Sequence, residues 1–232
     1  MELRVDARKL ALSLMVFAIL LVIAHITGAI SSYVFHHEEV FGLIDTFDMN
    51  VENNVPTFFS TFNLVACATL LSIIAIQSSI ARNARYWKWL AIIFLFLAVD
   101  EDASLHELLI EPVRDNLHVT GALYFAWVIP YGLALLVVGL LYLRFVWSLP
   151  VRTRRLFLAA GSIYLAGAIG FELVGWWYFS THGEIEDLSY ALFVAAEEFL
   201  EMSGVILFIY ALLGFLRDQL AGEPLRISIS RP

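Results

Sequence analysis

A single cysteine, Cys67, excludes an intrachain disulfide framework and any zinc or iron–sulfur site built on thiolates. A metal would therefore rest on histidine and carboxylate ligands. Lysine is almost absent: Lys9 and Lys88 are the only two, and neither lies deep in an apolar run where it could carry a retinal-type Schiff base. The chain has no Gly-rich phosphate loop, serine nucleophile elbow, Cys-x-x-Cys-His haem site or His-Glu-x-x-His zinc motif. Charge is scarce as well, at 16% of residues, where a soluble domain carries roughly a quarter. With a net charge of −8, no nucleic-acid partner is expected.

What remains is apolar. Hydrophobic residues make up 60% of the 232 and aromatics 14%, with a mean hydropathy of +0.79. Six runs are long enough to cross a bilayer as helices, about 10–35, 56–80, 86–111, 119–147, 156–180 and 188–216. The expected fold is a single all-α, six-helix transmembrane domain over residues 1–232, with only loops and short tails outside the membrane.

Basic residues give the orientation, because Lys and Arg of short loops stay cytoplasmic. Arg4, Arg8 and Lys9 precede span one, and Arg82, Arg85 and Lys88 lie between two and three. Arg144, Arg152, Arg154 and Arg155 lie between four and five, and Arg217, Arg226 and Arg231 follow six. Arg114 alone falls on the other side, so both termini are expected inside. The acids are polarised oppositely: only Glu2, Asp6, Asp218 and Glu223 are on the cytoplasmic side. The acids of the first outer loop, Glu38, Glu39, Asp45, Asp48 and Glu52, read as a solvated surface.

Carboxylates inside spans are another matter, since each costs at least ~2.5 kcal/mol to insert. Span three ends in Asp100-Glu101-Asp102-Ala-Ser104-Leu-His106-Glu107 and continues to Glu111 before Pro112. On one continuous helix, Asp100, Ser104, Glu107 and Glu111 share a face, and Asp102 and His106 share the opposite one. Span six carries Glu197, Glu198 and Glu201, with Glu197, Glu201 and Gly204 in one stripe. Span five carries Glu172 on a face of small residues, Gly161, Ala168 and Gly175. All six histidines lie toward the outer side, His25 within span one. Pro130 inside span four predicts a kink, and Trp87, Trp89, Trp147, Trp176 and Trp177 near span boundaries read as an aromatic belt. Ser60, Asn63 and Cys67 make a modest polar strip on span two.

Crowded, unpaired carboxylates cannot all be ionised; they bind a cation or share protons. The candidate ligands are Asp100, His106, Glu107, Glu172, Glu198 and Glu201, with His25, Glu101, Ser104 and Glu197 around them and Glu107 or Glu198 as general base. A mixed carboxylate and imidazole set suits iron, zinc or manganese, and an all-oxygen set suits calcium or magnesium. That reading is a metal-dependent enzyme acting on a lipid or other membrane-soluble substrate. Two others stay open: a proton- or cation-coupled transporter or channel, and an accessory subunit of a larger membrane complex, homo-oligomeric or mixed, whose acids pair elsewhere.

Asn54-x-Pro56-Thr57-Phe-x-Ser60 opening span two, Asp100-Glu101-x-x-Ser104-x-His106-Glu107 and Glu197-Glu198-x-x-Glu201-Met-x-Gly204 together resemble an uncharacterised family of six-span bacterial membrane proteins. The resemblance implies the helical bundle and the bacterial inner membrane, and brings no activity. A fainter likeness is to the intramembrane zinc hydrolases that include alkaline ceramidases, from which this chain departs in its six spans and in lacking His-x-x-x-His on the last helix.

Overall fold

The computed structural model describes residues 5–37, 39–77, 84–118 and 126–220, and these are helical with connecting turns, without strands. Of the residues weighed above, Glu2, Arg4, Glu38, Arg82, Glu223, Arg226 and Arg231 lie outside the described set, as do the expected boundaries 78–80 and 119–125.

The first long helix, α1 (Ala7–Tyr33), starts at Asp6, whose carboxylate accepts from the Arg8 and Lys9 N–H groups. Its buried residues Ala18, Leu21, His25 and Ala29 form one stripe against the last helix. Leu12, Val16, Leu20 and Ile23 stay more than half exposed on its other face. An outward apolar face of this kind is stable against hydrocarbon and not against water. A short helix, α2 (Leu43–Phe47), leads to α3 (Val55–Ile76). There Asn54 caps the Thr57 N–H and Pro56 sits in the first turn, where its missing donor is not needed. Asn54 also donates to the Asp48 and Val51 carbonyls, pinning the preceding loop.

Helix α4 (Ala84–Ala103) packs along α3. It then stops short of the expected end of span three. Ser104 takes a left-handed backbone with φ +48°, a 3-10 turn covers Glu107–Leu109, and α5 (Ile110–Leu117) starts afresh. The physical reason is at hand: Asp100, Glu101 and Asp102 put three carboxylates on the negative end of the helix dipole. The continuous acidic stripe from Asp100 to Glu111 is therefore not formed.

Helix α6 (Val128–Ser148) begins two residues before Pro130, so the proline occupies a first turn and no mid-helix kink arises. Span five is divided into α7 (Val151–Leu165), a π-helical turn Ala166–Phe171 and α8 (Glu172–Thr181). The wide turn shifts which small residues meet the neighbouring helix. A Cβ on Gly167 would lie 2.6 Å from the Glu197 carbonyl oxygen, whereas one on Gly161 would meet open space.

Helix α9 (Leu188–Gln219) is capped by Asp187 and is the hub of the molecule, packing against α1, α3, α7, the π turn and α8. Trp87 belongs to this core rather than to a belt: it is 2% exposed among Phe145, Phe157 and Phe215. Trp89, Trp147 and Trp177 are exposed as a belt requires, and Trp176 turns to a cavity wall.

Among the described residues five stretches are long and apolar enough to cross a membrane: Ala7–Tyr33, Val55–Ile76, Val128–Ser148, Val151–Thr181 and Leu188–Gln219. The protein is a multi-pass membrane protein. Helix α4 falls outside this set on composition, because Arg85 and Lys88 open it and three acids close it.

Candidate metal centre

At the end of the bundle where α4 stops and α9 begins lies a cavity of about 290 Å³. Glu101, Glu172, Glu197 and Glu198 reach it from α4, α8 and α9, and Glu52, His106 and Glu107 reach it from the connections. Three helices and two connections thus bring to one space the acids that lie far apart in sequence. Among the described residues that line it there is no lysine or arginine.

The break at Ser104 creates the tightest cluster. By reversing the chain after α4 it swings His106 and Glu107 toward the loop before α3, where ligand atoms of Glu52, His106 and Glu107 all lie within 4.8 Å of one another. Glu52 Oε2 is buried without a hydrogen-bond partner. Burial raises the Glu52 pKa, opposed by the nearby His106 and Ser104. Burial opposes protonation of His106, yet Asp100, with Glu52 and Glu107, prevails and lifts it above the ordinary imidazole range.

Asp100 is placed behind His106, not in the cavity. Its Oδ2 lies 3.6 Å from His106 Nδ1, and Tyr131 Oη donates to its Oδ1 at 2.9 Å. The Trp127 indole packs on the His106 ring with centroids 4.9 Å apart and donates from Nε1 to Glu172 Oε1 at 3.0 Å. The start of α6 therefore orients two of the predicted ligands at once. Ser104 supplies the turn and stands beside Glu52. Glu201 lies one helical turn inward of Glu197 and Glu198, against Tyr164 and the π turn, and is not among the lining residues.

His25 is elsewhere. It is 4% exposed, with Nε2 3.1 Å from the Ala191 carbonyl oxygen and Nδ1 3.0 Å from the Met49 N–H and 3.3 Å from Asp48 Oδ1. It fastens α1, the first loop and α9 around a separate pocket of about 40 Å³. The first loop is a solvated surface at Glu39 and Asp45, as expected, but not at its end: Asn50 donates to Glu186 Oε1 at 3.1 Å, Asp48 lies beside His25, and Glu52 joins the cluster. Glu52 is the functional candidate that sequence reasoning missed. Its one sequence signal is its place two residues before the Asn54 cap, which fixes it at the mouth of α3.

Such a set can hold a cation with one nitrogen and several oxygen ligands, leaving Glu172, Glu197 and Glu198 free to exchange protons across the cavity. No curated protein and no solved structure matches the chain. One family model does, over residues 13–215, a span that takes in every cavity residue named here. The chain thus belongs to the family described as a domain of unknown function (DUF8692).

Proposed function

We propose that the protein is a six-span enzyme of the bacterial inner membrane that binds a divalent metal through Glu52, His106 and Glu107 and acts on a lipid or other membrane-soluble substrate. The observation that carries this reading is the convergence of those three side chains within 4.8 Å, one with a buried, unpartnered carboxylate oxygen. One imidazole and two carboxylates suit zinc, iron or manganese and leave coordination positions open toward the cavity. A metal there would supply an activated water. Glu198, across the cavity on α9, is the general base of this proposal, with Glu172 and Glu197 as its proton partners. Glu107 becomes a ligand, and Asp100 a positioning residue.

The substrate class follows from the surroundings. Trp127 and Tyr131, which hold Glu172 and Asp100, stand at the start of α6, whose Leu133, Leu136 and Leu140 are more than half exposed. A molecule dissolved in the bilayer reaches the cavity along that face without crossing water.

The conduit reading is less well supported. Inward of the carboxylates, Leu64, Cys67, Leu71, Ile74, Phe208, Ile209 and Leu212 form a buried apolar core. A proton or cation path needs polar groups throughout. Counting α4 as the sixth span is supported by its 20 residues, about 30 Å of helix, and cytoplasmic termini by the distribution of Arg and Lys.

Elemental analysis of the purified full-length protein is the test. Near-stoichiometric zinc, iron or manganese, lost in both Glu107→Ala and His106→Ala, is the expected result. Metal-free protein, or metal retained in both variants, refutes the site.

A further inference from the structure

The metal cluster occupies one corner of the cavity and leaves most of its charge unanswered. Seven of the 17 lining residues are glutamates, and none of those described is lysine or arginine. Glu52 and Glu107 belong to the proposed metal site, where a divalent ion balances them. Glu101, Glu172, Glu186, Glu197 and Glu198 remain around a space of about 290 Å³. Sharing protons lowers their charge but supplies no positive group. A phosphate or carboxylate headgroup in that space would be repelled by what remains ionised.

The aromatic part of the wall points to a ligand independently of the acids. Trp176 and Tyr190 line the cavity from α8 and α9, with ring centroids 5.7 Å apart in an edge-on arrangement. Tyr190 is 4% exposed, and its hydroxyl has no hydrogen-bond partner among the described residues. A buried phenol oxygen without a partner is costly, so a polar group brought into the cavity beside it is favoured. Met49, Pro56, Ile110 and Val194 add apolar carbon to the lining. Aromatic faces attract an organic cation through their electron-rich rings, apolar carbon packs on its alkyl groups, and carboxylates balance its charge. A bare metal ion would leave the aromatic wall unused, and a neutral polyol would leave the charge unbalanced.

We propose that the substrate's headgroup is an organic ammonium, held on the Trp176 and Tyr190 rings and balanced by Glu101. Glu101 is chosen because neither the metal, the proton exchange of Glu172, Glu197 and Glu198, nor the Asn50 contact of Glu186 employs it. The inference rests on the reading of this cavity as a substrate site, and does not depend on the metal. An ammonium-bearing amphiphile would place its head in the cavity and leave its tail in the bilayer.

The test is calorimetric titration of the full-length protein in dodecyl maltoside with choline, with its neutral carbon isostere dimethylbutanol and with dodecyltrimethylammonium. Choline is expected to bind at least about tenfold more tightly than the isostere. Dodecyltrimethylammonium should bind more tightly still, as a lipid source requires; equal affinity for the two cations would assign the site to a soluble ammonium compound and overturn the lipid source. Glu101→Gln, which keeps the side-chain shape, and Trp176→Leu should each weaken choline at least about threefold. Trp177→Leu, on the exposed belt, should leave it unchanged. The His106→Ala/Glu107→Ala variant should still bind choline, so a wild type that binds choline without metal refutes the metal site alone. Choline held no more tightly than its isostere overturns the proposal. So does an affinity unchanged in both Glu101→Gln and Trp176→Leu, and so does choline binding lost in the double variant, which would put the cation on the metal ligands.

Discussion

His25 and Asp100 reverse the roles their sequence positions implied, and both reversals are measurable. His25 is buried beside a small pocket and is hydrogen-bonded at both ring nitrogens. Truncation to alanine leaves the buried Met49 N–H unpaired and opens a void, a cost of about 2 to 4 kcal/mol. His25→Ala should therefore lower the unfolding temperature markedly and leave metal content per folded molecule unchanged. Asp48 gives the same junction its pH dependence. Burial pushes its carboxyl up, but the His25 ring 3.3 Å away and the bond from the Asn50 N–H win and hold it below the ordinary range. The titratable groups around it are His25, Tyr33, Glu186 and Tyr190. A depressed folded pKa adds stability that is complete above the unfolded carboxylate value of about 4 and disappears as pH falls through the lower folded value. Asp48→Asn should thus unfold earlier than wild type at pH 7 and converge with it once pH has fallen through the lowered folded value; a constant gap over that window would refute the assignment. Asp100 acts through His106, so Asp100→Asn should weaken metal binding about 10- to 100-fold, measured against a competing chelator, with folding retained. An unchanged affinity would make the Asp100–His106 pair purely structural.

Helices, at the next scale, were legible in their apolar runs and illegible where they break. Hydropathy locates α1, α3 and α9 within a few residues, because an all-round apolar surface of about 20 residues has few other stable outcomes. Of the acids and histidines read as converging, since the cost of acids in lipid demands a shared cavity, His106, Glu107, Glu172, Glu197 and Glu198 line one space, whereas Asp100, Glu201 and His25 do not. The turn at Ser104 was not readable: three acids at a helix terminus and a left-handed serine depend on what lies beyond the helix, and a continuous wheel puts Asp102 with His106 where the structure puts Asp100. The π turn was hidden for a similar reason, since one extra residue per turn leaves no mark on an apolar pattern. Its register has a sharp consequence. A methyl on Gly167 would meet the Glu197 backbone at 2.6 Å, and one on Gly204 the Tyr164 backbone nitrogen at 2.7 Å. Gly167→Ala and Gly204→Ala should each destabilise the protein by about 1 to 3 kcal/mol. Gly161→Ala, in open space, should be neutral or stabilising by up to about 1 kcal/mol. Equal losses at Gly161 and Gly167 would mean a regular helix through span five.

Across the whole molecule, one hydrogen bond constrains the topology more than hydropathy does. Asn50 follows α1 and Glu186 precedes α9, and they touch, so the two loops share a side of the membrane. The chain between them must then cross an even number of times. Under the proposed topology α3, α6 and the α7 to α8 unit would supply three crossings and α4 the fourth, despite its charged ends. If α4 lay along the surface, Gly183 and Val151 would exchange sides, with α9 leaving the carboxylate end facing the cytoplasm. Single cysteines in a Cys67→Ala background separate the two arrangements, since Cys67 is itself fully buried. Cysteines replacing Phe41, Leu108 and Gly183, all on connections at the carboxylate end, should react with an impermeant maleimide in intact spheroplasts. A cysteine replacing Val151, among the basic residues at the opposite end, should react only after the membrane is opened. Labelling of Val151→Cys in intact cells with protection of Gly183→Cys would require five crossings, and would also be incompatible with the Asn50 to Glu186 contact at the cavity.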